Sequence, residues 1–233
     1  MQRAFYYGDL LFESILVKNE ELMLIERHHK RLINNAKSLG FDHSISFSLQ
    51  EFISQIQTEV DKSNINDKKN CRVRYTLYRH GDGFYLPLSN EIKYLIDVFD
   101  FDITNNSNTT KVSLYTTNHK ACTPLSNLKT GNALLYVLAS IWAKQNNWDD
   151  ALLINQYGRI IESTKANLFW IKDGITFTPP LSEGCVAGVM REEIMCNENI
   201  IEKPCEIVDL ENADQIFLTN AISQKINISF YSK

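Results

Sequence analysis

The opening third of the chain changes its hydrophobic period twice. Ser14-Ile-Leu-Val17, Lys18-Asn-Glu-Glu21 and Leu22-Met-Leu-Ile25 place a polar tetrapeptide between two apolar runs, which predicts a β-hairpin. Leu32, Ile33, Ala36 and Leu39 then recur at helical spacing, and Gly40 supplies the stop. A second helix opens at Ser48, because Glu51 stands three residues on as the other half of a capping box. Its apolar stripe is Leu49, Phe52, Ile53, Ile56 and Val60. β-Branched and aromatic residues return over 73–78, where Gly81-Asp-Gly83 closes the strand, and over 94–101. The run 102–109 is polar and predicts a domain boundary.

The second half begins with a strand over 112–116 and a helix over 132–145, with Leu134, Leu135, Leu138, Ile141 and Trp142 on one apolar face. Strands follow over 151–155, 158–162 and 167–171, the first two joined by a turn at Tyr157-Gly158. Another over 175–178 ends at Pro179-Pro180, a helix covers 189–196, and a last strand covers 215–218. Helices and strands mix in both halves. The pattern therefore predicts an α+β (mixed α/β) fold with mixed sheets, in a small N-terminal domain, 1–108, and a larger C-terminal one, 109–233.

Composition narrows the function classes. Over 233 residues, 44% apolar and 22% charged content suits a folded globular chain and excludes disorder. With 24 basic against 28 acidic residues, the net charge of −4 argues against a nucleic-acid partner. No apolar run nears the roughly 20 residues of a membrane span, and the first residues lack the pattern of a secretory leader. No repeat of fixed period is present. Five cysteines at wide spacing predict buried, reduced thiols and a cytoplasmic location. No histidine pattern suggests a metal site.

Three segments could carry chemistry. Lys129 precedes the most apolar helix, where desolvation favours a neutral, nucleophilic amine; taken alone it reads as a solvated loop lysine. Glu162 ends an apolar strand and could hold a buried cation, or simply terminate the strand in solvent. Gly188 stands where a loop meets a helix, and the free N–H groups of such a junction attract anions.

Read together, these segments resemble the class IV aminotransferase-like enzymes, the fold type IV users of pyridoxal 5′-phosphate. The resemblance rests on six motifs in order. They are Tyr7-Gly8-Asp9-Leu10-Leu11-Phe12-Glu13-Ser14, His28-His29-Lys30-Arg31-Leu32, Lys129-Thr-Gly-Asn132, Glu162 with Asn167-Leu168-Phe169, Gly188-Val189-Met190-Arg191, and Thr219-Asn220-Ala221. The implied fold has two lobes with the cofactor between them. Lys129 is the implied Schiff-base lysine and proton shuttle, and Glu162 the partner of the pyridinium nitrogen. Arg31 binds the phosphate, together with the backbone of Val189 and Met190 and with Asn220 and Ala221; Arg191 supports the site. The family implies a homodimer acting on a small-molecule substrate. Two departures stand out: Leu10 replaces the second glycine of Gly-Asp-Gly, and the chain is shorter than most members.

Among the family's activities, the resemblance leans towards aminodeoxychorismate lyase, which releases 4-aminobenzoate and pyruvate for folate synthesis. Ala133 stands where branched-chain enzymes have tyrosine, and Thr219-Asn220-Ala221 where they have Gly-Thr-Ala. Arg79 is the first choice for a substrate-carboxylate arginine and Arg74 the second; each also reads as a surface arginine on a strand. Thr219, Ser14 and Lys129 remain open as proton donors to the leaving group. Tyr7, Phe12 and Tyr78 either line the substrate pocket or pack in the core, the commoner fate of an aromatic. The alternatives are a class IV aminotransferase acting on branched-chain or D-amino acids, a relative that binds the cofactor without turnover, and an unrelated α/β binding protein.

Overall fold

A computed structural model describes residues 2–41, 48–101 and 109–232. The chain divides into two compact units, one of Met1–Ile103 with Lys129–Asn132 and one of Thr104–Leu128 with Ala133–Lys233. The polar run predicted to hold the boundary lies, apart from Thr109, outside the described residues. The return of Lys129–Asn132 to the first unit was not foreseen. It has a backbone cause: Phe12 N–H donates to Lys129 O at 3.1 Å, Gly131 N–H donates to Leu10 O at 3.1 Å, and Leu11 bridges Thr130.

The first unit contains α1 (Gln2–Tyr7), β1 (Leu10–Lys18), β2 (Glu21–Leu22), α2 (Ile25–Ser38), α3 (Leu49–Lys62), β3 (Cys71–Arg79) and β4 (Ile92–Asp100). Its strands form an antiparallel sheet in the order β2-β1-β3-β4. The predicted hairpin is present, turning at Asn19 and Glu20 with positive φ. Its second strand stops at Leu22, and Ile25 already belongs to α2. Strand alternation sends Leu11, Ile15, Val73, Tyr75 and Leu77 to one face, where Leu32 and Ala36 of α2 and Phe52, Ile56 and Val60 of α3 cover them. The capping box of α3 forms as predicted: Ser48 Oγ accepts from Glu51 N at 3.2 Å, and Ser48 N donates to Glu51 Oε2 at 2.5 Å.

The second unit contains β5 (Thr110–Lys120), α4 (Leu134–Gln145), β6 (Asp150–Asn155), β7 (Ile160–Ser163), β8 (Asn167–Lys172), β9 (Ile175–Thr178), α5 (Val189–Asn197), β10 (Ile200–Glu202), α6 (Ile207–Glu211), β11 (Gln215–Asn220) and β12 (Gln224–Tyr231). Its strands run in the order β10-β9-β8-β11-β12-β5-β6-β7. An added β7–β8 pairing closes the sheet on itself, joined at Glu162 and Asn167. The β5–β6, β5–β12 and β9–β10 pairs are parallel and the others antiparallel, so the sheet is mixed. Every residue of β6 is buried, the apolar run Ala151–Ile154 together with the polar Asp150 and Asn155 at its ends.

Two expectations need correction. The predicted single apolar face of α4 is split. Leu135, Tyr136 and Trp142 pack inward with Ala139 and Ala143, while Leu134, Val137, Leu138 and Ile141 are exposed. The thiols are all free, but Cys196 is exposed and Cys122 half-buried rather than buried. No helix among the described residues is long and apolar enough to cross a membrane. Replacing Ser48 by alanine removes one reciprocal bond of the α3 cap. The expected loss is about 1 kcal/mol of stability, read as a lower urea midpoint.

Candidate active site

In the first unit, β1 turns Glu13 into the core, and α2 brings His28 and Arg31, three residues apart, onto the same carboxylate. His28 Nδ1 donates to Glu13 Oε2 at 2.6 Å, Arg31 Nε donates to Oε1 at 2.8 Å, and Arg31 Nη2 also donates to Oε2. Burial works to raise the Glu13 pKa. The Arg31 charge and the His28 hydrogen bond outweigh it and hold the carboxyl at about 2, below its ordinary 4.5. Burial pulls the His28 imidazole below its ordinary 6.5, against the pull of Glu13. A neutral His28 with its proton on Nδ1 leaves Nε2 buried, with no hydrogen-bond partner among the described residues.

Phe12, one residue earlier, lies on the opposite face of β1. Lys129 Nζ stands 4.4 Å from its ring centroid and the Arg74 guanidinium 3.8 Å from it. Lys129 thus belongs to the first unit with Arg31 and Arg74. Tyr78 is buried, Phe12 half-buried, and Tyr7 packs against Tyr85 at 5.4 Å.

Arg79, the first choice for a substrate carboxylate, is used by the fold instead. It is buried, donates to Asp9 Oδ2 at 3.0 Å, Gly40 O at 3.1 Å, Leu39 O at 2.7 Å and Asn90 Oδ1, and lies over the Phe41 ring. Four of its five N–H groups are thereby satisfied inside the protein.

In the second unit, Glu162 is 3% exposed and stands at the β7–β8 closure. Its Oε1 accepts from Lys120 Nζ at 2.6 Å and from Tyr136 Oη at 2.8 Å, and its Oε2 accepts from Val186 N at 2.9 Å. Lys120 Nζ also donates to Tyr136 Oη at 2.6 Å, completing a triangle. Burial and the Glu162 charge push the Tyr136 hydroxyl far up, so it stays a donor. Sequence reasoning missed Lys120 and Tyr136, which lie 42 and 26 residues from Glu162.

The start of α5 is open. Gly188 gives no side-chain cap, and the first N–H groups, Val189 and Met190, have no acceptor within the helix. A Cβ on Gly188 would overlap Asn167 Oδ1, so only glycine lets the backbone run there. Asn167 Nδ2 donates to Val186 O at 2.8 Å, and Asn167 sits opposite Thr219 of β11. Thr219 Oγ1 is buried with no partner among the described residues. Asn220 Oδ1 accepts from Ile222 N and Ser223 N at 2.9 and 2.7 Å, which fixes the turn carrying Ala221. Arg191 is buried and donates to Pro179 O at 3.1 Å and to Glu202. Val189, Met190, Asn220, Ala221 and Glu162 all belong to the second unit. Among the described residues no cluster of His, Cys, Asp or Glu could hold a metal ion.

An uncapped helix start beside an unpartnered buried hydroxyl suits a phosphate, and a buried carboxylate suits a protonated ring nitrogen. These residues fit pyridoxal 5′-phosphate. The fold is that of the fold type IV pyridoxal-phosphate enzymes. The family model for amino-transferase class IV matches residues 10–229, and the chain belongs to that family, which depends on pyridoxal phosphate. A protein of Aquifex aeolicus described as "Probable branched-chain-amino-acid aminotransferase" is 26% identical over 254 residues, spanning 96% of this chain and 76% of its own. The aminodeoxychorismate lyase of Vibrio harveyi is 34% identical over 103 residues, spanning 42% of this chain and 38% of its own. The crystal structure of 4-amino-4-deoxychorismate lyase from Pseudomonas aeruginosa superposes with a TM-score of 0.83 at 21% identity, covering 98% of this chain and 85% of that one.

Two predictions follow from the buried carboxylates. Glu13 contributes stability that is complete above its unfolded pKa of 4.5 and lost as the pH falls through about 2, about 3 kcal/mol in all. Glu13→Gln should therefore be less stable at pH 7, and its urea midpoint should change less than the wild type's between pH 5 and pH 2. Lys120→Met leaves Glu162 buried without its cation and should cost on the order of 3 kcal/mol. Lys120→Arg should cost far less, and adding Glu162→Gln to Lys120→Met should restore part of the midpoint.

Proposed function

We propose that this class IV enzyme is a pyridoxal-phosphate-dependent lyase that converts 4-amino-4-deoxychorismate to 4-aminobenzoate and pyruvate, a step of folate synthesis. The observation that carries this reading is the 34% identity to the Vibrio harveyi lyase, against 26% to the Aquifex protein. Ala133 and Thr219-Asn220-Ala221 point the same way. The second reading is an aminotransferase acting on branched-chain or D-amino acids. It is favoured by the greater span of the aminotransferase matches, which cover 96–97% of this chain.

Bound to these residues, the cofactor supplies an electron sink for negative charge at the substrate carbon that carries the nitrogen. Lys129 would be the residue whose amine holds the cofactor. Its Nζ would serve as the base that takes the proton from that substrate carbon. Loss of that proton and cleavage of the bond between the ring and the enolpyruvyl oxygen would make the ring aromatic, and the departing enolpyruvate would take up a proton at its methylene carbon to become pyruvate. Glu162, fixed by Lys120, Tyr136 and Val186 N, accepts the ring N–H. Arg31, oriented by Glu13, and separately, in the second unit, the N–H groups of Val189 and Met190 with Asn220 and Ala221, would be the residues suited to hold a phosphate. Arg74 replaces Arg79 as the arginine for a substrate carboxylate.

The working form in this reading is a cytoplasmic homodimer. Exposed apolar side chains support it: Leu134, Val137, Leu138 and Ile141 on α4, and Phe84, Tyr85, Leu86 and Leu88 in the loop after β3.

Added pyridoxal phosphate should give the wild type a near-ultraviolet to violet absorbance band that borohydride bleaches, and Lys129→Ala should lack it. The wild type should then release pyruvate from aminodeoxychorismate with no amino acceptor present. Conversion of the cofactor to its amine form by glutamate or a D-amino acid, without pyruvate release, would establish the second reading instead.

A further inference from the structure

The geometry points to Leu10 as a positioning residue for Lys129: its side chain, lodged over Gly131, latches Lys129–Asn132 onto β1 and so sets where the Lys129 amine stands over Phe12. This rests on Lys129 being the reacting amine, as proposed above. Leu10 stands where the motif of the resembled family has glycine.

Lys129–Asn132 returns to the first unit as a short segment, flanked on both sides by chain of the second. Phe12 N–H donates to Lys129 O and Gly131 N–H to Leu10 O, each at 3.1 Å. An edge held by so few backbone bonds opens easily unless side chains pack over it.

That packing comes from Leu10. Leu11 bridges Thr130 in the antiparallel sense, which sets Phe12 opposite Lys129 and Leu10 opposite Gly131. Residues two apart on a strand share a face, so the two pairs lie side by side on the face of β1 away from the core. In the first pair, Lys129 Nζ is 4.4 Å from the Phe12 ring centroid. In the second, the leucine meets a residue with no side chain and spreads over its backbone. A Cβ built on Gly131 would lie 2.7 Å from Leu10 Cγ, 2.9 Å from Cδ1 and 3.0 Å from Cδ2. The end of the leucine side chain thus fills the space that any other residue at 131 would need. Across β1, the register sets the buried Tyr78 of β3 opposite Leu10, so the leucine stands between Tyr78 and Gly131. An apolar side chain over this backbone also lowers the access of water to the Gly131 N–H bond, which strengthens it. Leu10 therefore acts on Lys129 through Gly131 and Thr130.

Hydrogen exchange of the cofactor-free protein, read amide by amide by NMR, tests this. Leu10→Ala should speed exchange of the Phe12 and Gly131 amides on the order of tenfold and leave that of Val73 in β3 unchanged. Leu10→Met, which keeps the volume, should stay near the wild type. Gly131→Ala should also speed exchange, because its Cβ meets Leu10. Adding Leu10→Ala to Gly131→Ala should then slow exchange again, a coupling that independent sites do not show. In the pyridoxal-phosphate-loaded protein, Leu10→Ala should move the pH midpoint of the cofactor absorbance band by at least about half a unit, as the Lys129 nitrogen leaves its place over Phe12. Wild-type exchange rates in Leu10→Ala would overturn the inference, and so would an unmoved band midpoint. Faster exchange spread over all of β3 with a lowered Tm would also overturn it, making Leu10 an ordinary packing residue. If the wild type forms no cofactor band, the proposed function fails separately, and exchange at Phe12 and Gly131 still decides the latch.

Discussion

A carboxylate cannot be buried without a cation or a full set of hydrogen bonds, and Glu13 in the first unit and Glu162 in the second are buried on those terms. Glu13 ties β1 to α2 through Arg31 and His28. Glu162 ties the closing strand of the second unit to β5 and α4 through Lys120 and Tyr136. In both cases the acid sets the position of another group. Arg31 is fixed as a flat guanidinium because two of its N–H groups already point at Glu13. The loop before α5 is fixed because Val186 N–H is held by Glu162, and Val186 O by Asn167. The open start of α5 follows from that, since Gly188 can pass Asn167 only without a side chain.

Much of this fold was legible in the chain because local rules sufficed. The α3 cap needed only Ser48 and Glu51, and the strand β6 only its continuous apolar run. The failures came where tertiary context decides. The apolar residues of α4 predict one buried face, yet a helix placed against a closed sheet buries only the side holding Leu135, Ala139 and Trp142. Lys129–Asn132 carries no sequence signal for joining β1, because backbone pairing is independent of side-chain type. The missed strand β12 did carry a signal: Ile226, Ile228 and Phe230 alternate with polar residues.

The candidate site divides in the same way. Lys129, Glu162 and Arg31 could be picked out because each lies in a short motif. Lys120 and Tyr136 could not, since each matters only through Glu162, distant in sequence. The choice of Arg79 over Arg74 was open to a simpler check. Phe12 and Ser14 lie on the face of β1 away from the core, and the register places Thr76 and Arg74 across from them. An odd separation on β3 puts Arg79 on the opposite face.

Lys120 and Lys129 show why residue type alone does not assign a nucleophile. Both are lysines within ten positions of each other, each beside an aromatic ring. Lys120 donates to a carboxylate and to a phenol, both within 2.6 Å, so its ammonium is the fixed counter-charge of Glu162. An amine held that way is committed to Glu162 and Tyr136. Lys129 stands over Phe12 in a neighbourhood of positive charge that includes Arg74, and it acts with Arg31 to disfavour charge on His28. Positive charge gathered around Phe12 favours the approach of an anion to that face of β1.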